Sequence, residues 1–595
     1  GDHAIVRVSG RNRRGKREGK LVEVIARAND TIVGRYFMES EIGFVVPDNK
    51  RIHQDIFIPP GKNKKASHGQ FVVVKLIRQP DKHTQPVGKI TEVITDHYST
   101  HIASDIAIRS YDLPYKWPGE VQTELNEINK ATADDSADRR DLTALPFVTI
   151  DGEDAKDFDD AVFCEPKGKH WNLYVAIADV SHYVRPSSPL DKEAYKRGTS
   201  VYFPDRVVPM LPELLSNNLC SLVPDQNRLV MVCEMKVGKS GEILRYEFYK
   251  AEICSKARLT YSIMHDAVFN QNQKTRNKYH ELLAHLDALG ELYAVMHGYR
   301  KQQGLLEFDT TESIINFDEQ GEIVSIDPLV RNEAHRLIEE FMLAANISAA
   351  KYLFESELPS LYRVHDSPKP EKLEDLNLFL KSFGLGLGNK TEPTTEDYAR
   401  IIDKVSGRPD GHLIQTVMLR SMPLAYYGES NLGHFGLAFE AYTHFTSPIR
   451  RYPDLVVHRA INHLVSKKRP DYLYSEDYMH ECGNHCSMTE RRAEEASRNV
   501  VQRLKCEYMK DKIGEVFNGI VSGVTAFGLF VELENINVEG LIHVTSLPAD
   551  YYHHDAIHHQ LTGEKNRHAY RLGESMRVRL IRVDTDENKI DFELV

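Results

Sequence analysis

A chain of 595 residues exceeds what one hydrophobic core organises, so three to five domains are expected. Its 41% apolar and 27% charged residues suit soluble globular protein, no window approaches the roughly 18 consecutive apolar residues of a spanning helix, and residues 1–27 are basic and polar rather than a secretory leader, which predicts a cytoplasmic chain. Seven scattered cysteines exclude a disulfide framework, and a net charge of −12 argues against a uniformly basic nucleic-acid binder while leaving local basic surfaces open.

The N-terminal part contains a repeat. Gly1–Val8 (GDHAIVRV) is echoed by Gly69–Leu76 (GQFVVVKL), and Gly19–Ile25 (GKLVEVI) by Gly88–Ile94 (GKITEVI). Each copy reads as an alternating apolar strand, a basic loop and a second strand opened by Gly-Lys. Strand-like sequence from Ile32 to Pro60 precedes only the second copy. The chain is therefore expected to start inside a domain, with residues 1–27 as its last two strands and residues 28–97 as a complete small barrel. In that barrel Tyr36, Phe37, Phe44 and Phe57 are followed by Lys62, Lys64 and Lys65. Bases can stack on such aromatics while lysines hold phosphates, and Tyr36, Phe44 and Phe57 are assigned to the RNA-facing surface, although alternation turns some aromatics inward.

Residues 98–140, with Pro114, Trp117 and Pro118 and then a polar acidic stretch, read as a connecting segment with some helix. Residues 141–510 contain no linker and mix strand-like runs with amphipathic helices such as 333–352 and 489–510, predicting one large α+β domain. Residues 511–595 return to short strands with glycine turns, in GEVFNGIVSGVTAFGLFVEL, EGLIHVTSL, MRVRLIRVD and KIDFELV.

The sharpest feature is TIDGEDAKDFDDAV, residues 149–162. An apolar strand ends at Asp151, and Asp157, Asp159 and Asp160 follow within nine residues. Like charges this close repel, which raises pKa values and destabilises the fold unless cations neutralise them. Oxygen-only ligands select hard cations, so Mg²⁺ is expected, with Mn²⁺ as a substitute. A calcium loop of the EF-hand type starting at Asp151 would need Gly at its sixth and Glu at its twelfth position, where the chain has Lys156 and Val162. Paired cations about 4 Å apart suit in-line displacement at phosphorus. Cys482 and Cys486, with His485 between them, lack a second pair at zinc spacing and read as buried reduced thiols.

Distant segments supply what an acidic site lacks. HFTSPIRRYPDLVVHR, residues 444–459, places Arg450 and Arg451 after a Ser-Pro turn, ready for phosphate oxygens. RGTSVYFP (197–204) and GLLEF (304–308) offer aromatics, and RNEAHRLIEEFMLAAN (331–346) is a helix with His335 and Glu339 on one face.

In their order and spacing these motifs closely resemble the ribonuclease II (RNB) family, and within it the bacterial R-type branch. Residues 28–97 resemble a cold-shock barrel, and residues 511–595 an S1 barrel, through Phe527, Gly528, Phe530, Gly540, Leu541, His543 and Ser546. The resemblance implies a multidomain α+β fold, with a mixed-sheet nuclease domain at 141–510 flanked by OB-fold barrels. Residues 1–27 would be the remnant of a first cold-shock barrel, and the basic C-terminal tail common in the R-type branch is not in this sequence.

The resemblance further implies that Asp151, Asp157, Asp159 and Asp160 bind metal, with Asp159 most directly tied to cleavage and Asp157 and Arg450 also catalytic. Tyr202 and Phe308 would clamp the 3′-terminal bases, and Arg450, with Arg451 beside it, would hold the phosphate. Tyr261 and Glu339 or Glu340 would lie near the terminal ribose, and Phe527, Phe530 and His543 would form the RNA-facing patch of the S1 barrel. The activity implied is processive 3′-to-5′ hydrolysis of single-stranded and 3′-overhang structured RNA to nucleoside 5′-monophosphates by a monomer. An enzyme restricted to single strands is the alternative within the family. A non-catalytic RNA chaperone is the alternative from another class, since the barrels alone would suffice for binding.

Overall fold

A computed structural model describes residues 2–11, 17–27, 29–81, 84–95, 100–130, 138–308, 313–388, 392–408, 410–466 and 471–595. The expected boundaries at 27–28 and 97–98 touch residues outside those described. Strands His3–Arg11 and Arg17–Ala26 pair as an antiparallel hairpin whose Val6, Val8, Leu21 and Ile25 are exposed.

Thr31–Glu39, Ile42–Pro47, Ile56–Ile58, Phe71–Arg78 and Val87–Thr95 close into a five-stranded barrel. Its alternating pattern turns Val45, Ile56, Ile58, Val72 and Val74 inward. Tyr36 turns inward with them and is only 2% exposed, so the expectation that it faces RNA is wrong. Gly43 accommodates its ring, since a Cβ there would lie 2.6 Å from the Tyr36 hydroxyl. The opposite parity forms the outer row: Phe37 is paired with Phe44 and Phe44 with Phe57 across adjacent strands. Phe37 and Phe44 stack at 5.7 Å, with His68 edge-on to Phe37 at 5.2 Å.

The central domain is built on a seven-stranded sheet in the order Ala257–Thr260, Val148–Asp151, Asp160–Lys167, His170–Ala178, Asn227–Gly238, Ile243–Cys254 and Arg140–Asp141. Its strands are apolar on both faces, which requires cover on both sides. Val162, Cys164, Val175 and Met231 pack under helices Leu283–Gln302, Glu333–Glu355 and Tyr452–Val465. Their neighbours Ala161, Phe163, Ala176 and Val232 pack against helices Gly119–Lys130 and Pro189–Arg197 on the other side.

A helix of 35 residues, Glu476–Lys510, joins the domains and spans about 52 Å at 1.5 Å per residue. It starts at a Ser475 cap that accepts from the Tyr478 amide, earlier than the expected 489–510. The polar, glycine-containing stretch HECGNHCSM has weak helix propensity, and burial of Met479, Cys482, Gly483 and Cys486 overrides it. The thiols of Cys482 and Cys486 are buried one turn apart with sulfurs at 3.9 Å, while the His485 Nε2–H donates to the Tyr195 carbonyl at 2.7 Å.

A second closed barrel follows: Val516–Thr525, Gly528–Leu533, Glu539–His543, Ser575–Asp584 and Lys589–Leu594. Its interior, including Val521, Leu529, Val531 and Phe592, is continuous with Leu504, Cys506 and Met509 of the long helix. The two barrels touch through Arg35–Asp586 at 2.9 Å and Lys50–Glu587 at 2.8 Å, and Arg503 of the long helix reaches Asp48 at 2.7 Å. Among the described residues no helix is long and apolar enough to cross a membrane.

Candidate active site

The sheet assembles the acidic loop. Val148–Asp151 and Asp160–Lys167 are antiparallel neighbours, so the segment between them folds back and returns Asp160 to the vicinity of Asp151. Ala257–Thr260 runs parallel to Val148–Asp151, with Thr260 opposite Asp151. Thr260 then caps helix Tyr261–Val268, its side chain accepting from the Ile263 amide at 3.2 Å. The first residue of that helix is thereby set beside Asp151, whose carboxylate the Tyr261 hydroxyl bonds.

Arg450 arrives on a turn fixed from below. Asp454, fully buried in the first turn of helix Tyr452–Val465, accepts from the Ser447 amide and from Arg451 Nη2, both at 2.8 Å. Ser200 N–H donates to the Arg450 carbonyl at 2.9 Å, and Tyr452 N–H to the Gly198 carbonyl at 3.0 Å. Gly198 has φ +71°, and a Cβ there would lie 2.1 Å from Thr489 Oγ1, so glycine is required. This zipper places Tyr202 near the turn. Its ring is 42% exposed, and its hydroxyl donates to Asp157 Oδ2 at 3.1 Å.

Asp159 is buried. Its Oδ1 accepts from the Ile449 amide at 2.9 Å, and its Oδ2 lies 4.0 Å from Arg450 Nε. Burial first, then like charge, pushes Asp159 well above the usual carboxylate range, against the pull of Arg450. Burial and the Asp151 charge push Asp160 up to about 7, and burial also raises Asp151. Burial raises the Tyr202 and Tyr261 phenols as well, reinforced by Asp157 and Asp151 respectively.

Asp159 Oδ2 and Asp160 Oδ2 are buried without a hydrogen-bond partner among the described residues. Left ionised, such oxygens destabilise a fold unless a cation reaches them. Among the described residues no three His, Cys, Asp or Glu side chains converge into a ready-made metal cage. The four aspartates therefore do not form one closed ligand set. A hard cation held by one or two carboxylates, with water and substrate oxygens completing its shell, fits this donor set.

Several expected site residues lie elsewhere. Arg451 turns inward and is committed to Asp454, so of these two adjacent arginines it is Arg450, 43% exposed, that presents its guanidinium to Asp159. Phe308 packs with Leu306 against the cluster of Tyr398, Ile414 and Met418 and lines a cavity with His412–Arg420 and the C-terminal barrel. Among the described residues no ring contact joins it to Tyr202. The Gly304 turn, at φ +81° against Glu396, directs this segment onto helix Thr395–Val405. Glu340 is buried 3.1 Å from Arg300 and 3.8 Å from His297, while Glu339 is exposed and paired with Arg331 at 3.3 Å.

Sequence reasoning passed over three participants: the Ile449 amide, Asp454 and the role of His335, whose ring stacks on Tyr261 at 3.9 Å. Asp454 had a legible signal, an acid three residues after Arg451 at a helix start. In the C-terminal barrel Phe527 is 49% exposed and edge-on to Phe530 at 6.0 Å, with His543 across the ladder from Gly528.

Comparison with known proteins bears on this geometry. Residues 139–467 match the RNB domain, 44–118 the cold shock domain and 510–594 the S1 RNA binding domain. Ribonuclease R of Escherichia coli (strain K12) is 48% identical over 609 aligned residues, covering 100% of this chain and 74% of that protein. RNase R of Mycoplasma genitalium, solved with ribose-methylated single-stranded RNA, superposes with a TM-score of 0.92 at 27% identity, covering 100% of this chain and 94% of the other. The same enzyme solved with double-stranded RNA gives 0.83 at 26% identity, over 97% of each chain. An RNB match over more than half the sequence, with near-half identity to a full-length relative, carries one conclusion: this chain belongs to the RNB ribonuclease family, on its ribonuclease R branch.

Proposed function

We propose that the chain is a processive 3′-to-5′ exoribonuclease whose hydrolytic centre is the Asp151–Asp160 loop with Arg450, releasing nucleoside 5′-monophosphates. The two buried carboxylate oxygens on Asp159 and Asp160 that lack a hydrogen-bond partner among the described residues, with the Arg450 guanidinium 4.0 Å from the first, carry this reading.

Asp151, Asp157, Asp159 and Asp160 would hold Mg²⁺, or Mn²⁺ in its place. When bound, such a cation would supply Lewis-acid polarisation of the phosphodiester and would lower the pKa of a water ligand. Asp159 is oriented by the Ile449 amide, so its second oxygen is fixed toward Arg450. Arg450 holds the scissile phosphate by charge-assisted hydrogen bonds. Tyr202 offers an exposed ring for the terminal bases while its hydroxyl, anchored on Asp157, ties that platform to the acidic loop. Tyr261, stacked on His335 and bonded to Asp151, would be the residue near the terminal ribose, where a 2′-hydroxyl is read. Phosphate contacts and stacking carry no base code, which accounts for sequence indifference. Outer rings on both barrels, Phe37, Phe44 and Phe57 on one and Phe527, Phe530 and His543 on the other, would guide the strand inward.

The test is Asp159→Asn, assayed for both binding and cleavage of a 3′-end-labelled single strand. Binding is retained and cleavage falls by several orders of magnitude, as expected for loss of a metal-supporting group. Normal turnover in this variant would overturn the assignment.

A further inference from the structure

Six carboxylates crowd the ten residues from Asp151 to Asp160: these two, Glu153, Asp154, Asp157 and Asp159. Residues 152–159 lie outside the strands, so no ladder opposes their mutual repulsion. The loop is instead held by side chains from two distant elements.

Arg258, on the Ala257–Thr260 strand, donates from Nη2 to the Gly152 carbonyl at 3.1 Å and also to the Glu153 carbonyl. The same guanidinium lies 5.5 Å from the centre of the Phe158 ring. One side chain therefore grips both ends of the loop. From the other side Ser221, fully buried, donates to the Lys156 carbonyl at 2.7 Å and accepts from the Phe158 amide at 3.0 Å. The Leu222 amide donates to the Phe158 carbonyl at 3.0 Å. The register of the parallel strands, with Arg258 opposite Thr149, aims the guanidinium at the loop's start.

We infer that Arg258, backed by Ser221, is a positioning residue for the nuclease reaction, cross-linking the two ends of the acidic loop so that its aspartates keep their mutual placement. It acts through the loop backbone, on the Gly152 and Glu153 carbonyls. Its planar fork serves two carbonyls and a ring at once, which a lysine cannot reproduce. The inference rests on the reading of these aspartates as the hydrolytic centre, and its tests separate the two.

Three variants of the full chain decide it: Arg258→Met, Arg258→Lys and Ser221→Ala. Loop behaviour is read by hydrogen–deuterium exchange of peptides covering 152–159, cation binding by electron paramagnetic resonance of Mn²⁺ without RNA, and turnover on a labelled single strand. In Arg258→Met the loop exchanges at least about tenfold faster and Mn²⁺ binds more weakly. Turnover falls about a hundredfold with KM for RNA nearly unchanged, the size expected for an ångström-scale misplacement of catalytic groups. Arg258→Lys recovers part of the loss. Ser221→Ala, a small truncation that keeps the fold should Arg258→Met lose it, shows the same pattern more weakly. Native loop exchange in both Arg258→Met and Ser221→Ala overturns the clamp. A loosened loop with native turnover overturns its positioning role. Failure of the nuclease reading itself appears separately, as normal turnover in Asp159→Asn.

Discussion

Replacing Asp160 with asparagine separates what the acidic loop costs the fold from what it does in catalysis. Burial, then the Asp151 charge, carries the Asp160 carboxyl from its ordinary 3.8 to about 7 in the metal-free chain. At roughly 1.4 kcal/mol per pH unit, holding this group ionised above pH 7 destabilises the folded state by about 4 kcal/mol. The folded pKa lies above the unfolded one, so the folded chain binds this proton more tightly. Its stabilising effect is complete below about pH 4, declines as pH rises, and is gone above about pH 7. Asparagine carries no such dependence. In chelator at pH 8, Asp160→Asn therefore raises stability by up to about 4 kcal/mol, and its advantage shrinks by more than half at pH 5. Trp171 lies on a strand of the central sheet and Trp117 packs against the apolar cluster on one of its faces, so denaturant unfolding followed by tryptophan fluorescence reports the right domain. Adding Mg²⁺ at pH 8 stabilises the wild type more than the variant, and the variant no longer cleaves. Parallel pH profiles for the two proteins, or a variant less stable than wild type in chelator at pH 8, would refute the reasoning.

Tyr202→Ala removes an exposed stacking platform and changes the length of the residual oligonucleotide, read on a sequencing gel; an unchanged length means the ring merely packs. A duplex with a single-stranded 3′ overhang is digested into its paired region, and products arrested ahead of the duplex would assign the chain to single strands only. Phe44→Ala weakens RNA binding by about 1–3 kcal/mol in a titration while leaving the melting temperature near native. Tyr36→Ala does the reverse, lowering stability by about 3–5 kcal/mol with little effect on affinity.

The fold class and the acidic loop were legible because their signals are local. Alternation and glycine turns marked both barrels, and four aspartates beside Phe158, Ala161 and Val162 marked a buried charged turn. What was not legible depends on parity or on distant partners. Tyr36 and Phe37 are adjacent, and only the barrel register decides which faces out; Gly43 was the one cue. Arg450 and Arg451 are likewise adjacent, yet the backbone turns one toward the aspartates and the other into Asp454. Glu340 finds its partner Arg300 forty residues away, and Phe308 follows Leu306 into an apolar cluster, which no local pattern announces.

The junction at residues 510–511 is a change of strand pattern but not a seam in the packing. Leu504, Cys506 and Met509 share one apolar interior with Val521, Leu529 and Phe592, and with Ala103 and Ala107 from the connecting segment. A chain cut after Lys510 would bare that greasy surface on both fragments. The C-terminal barrel thus behaves less like a detachable tool than like the far end of a single casting, and grafting a foreign barrel would require resculpting the helix that carries it.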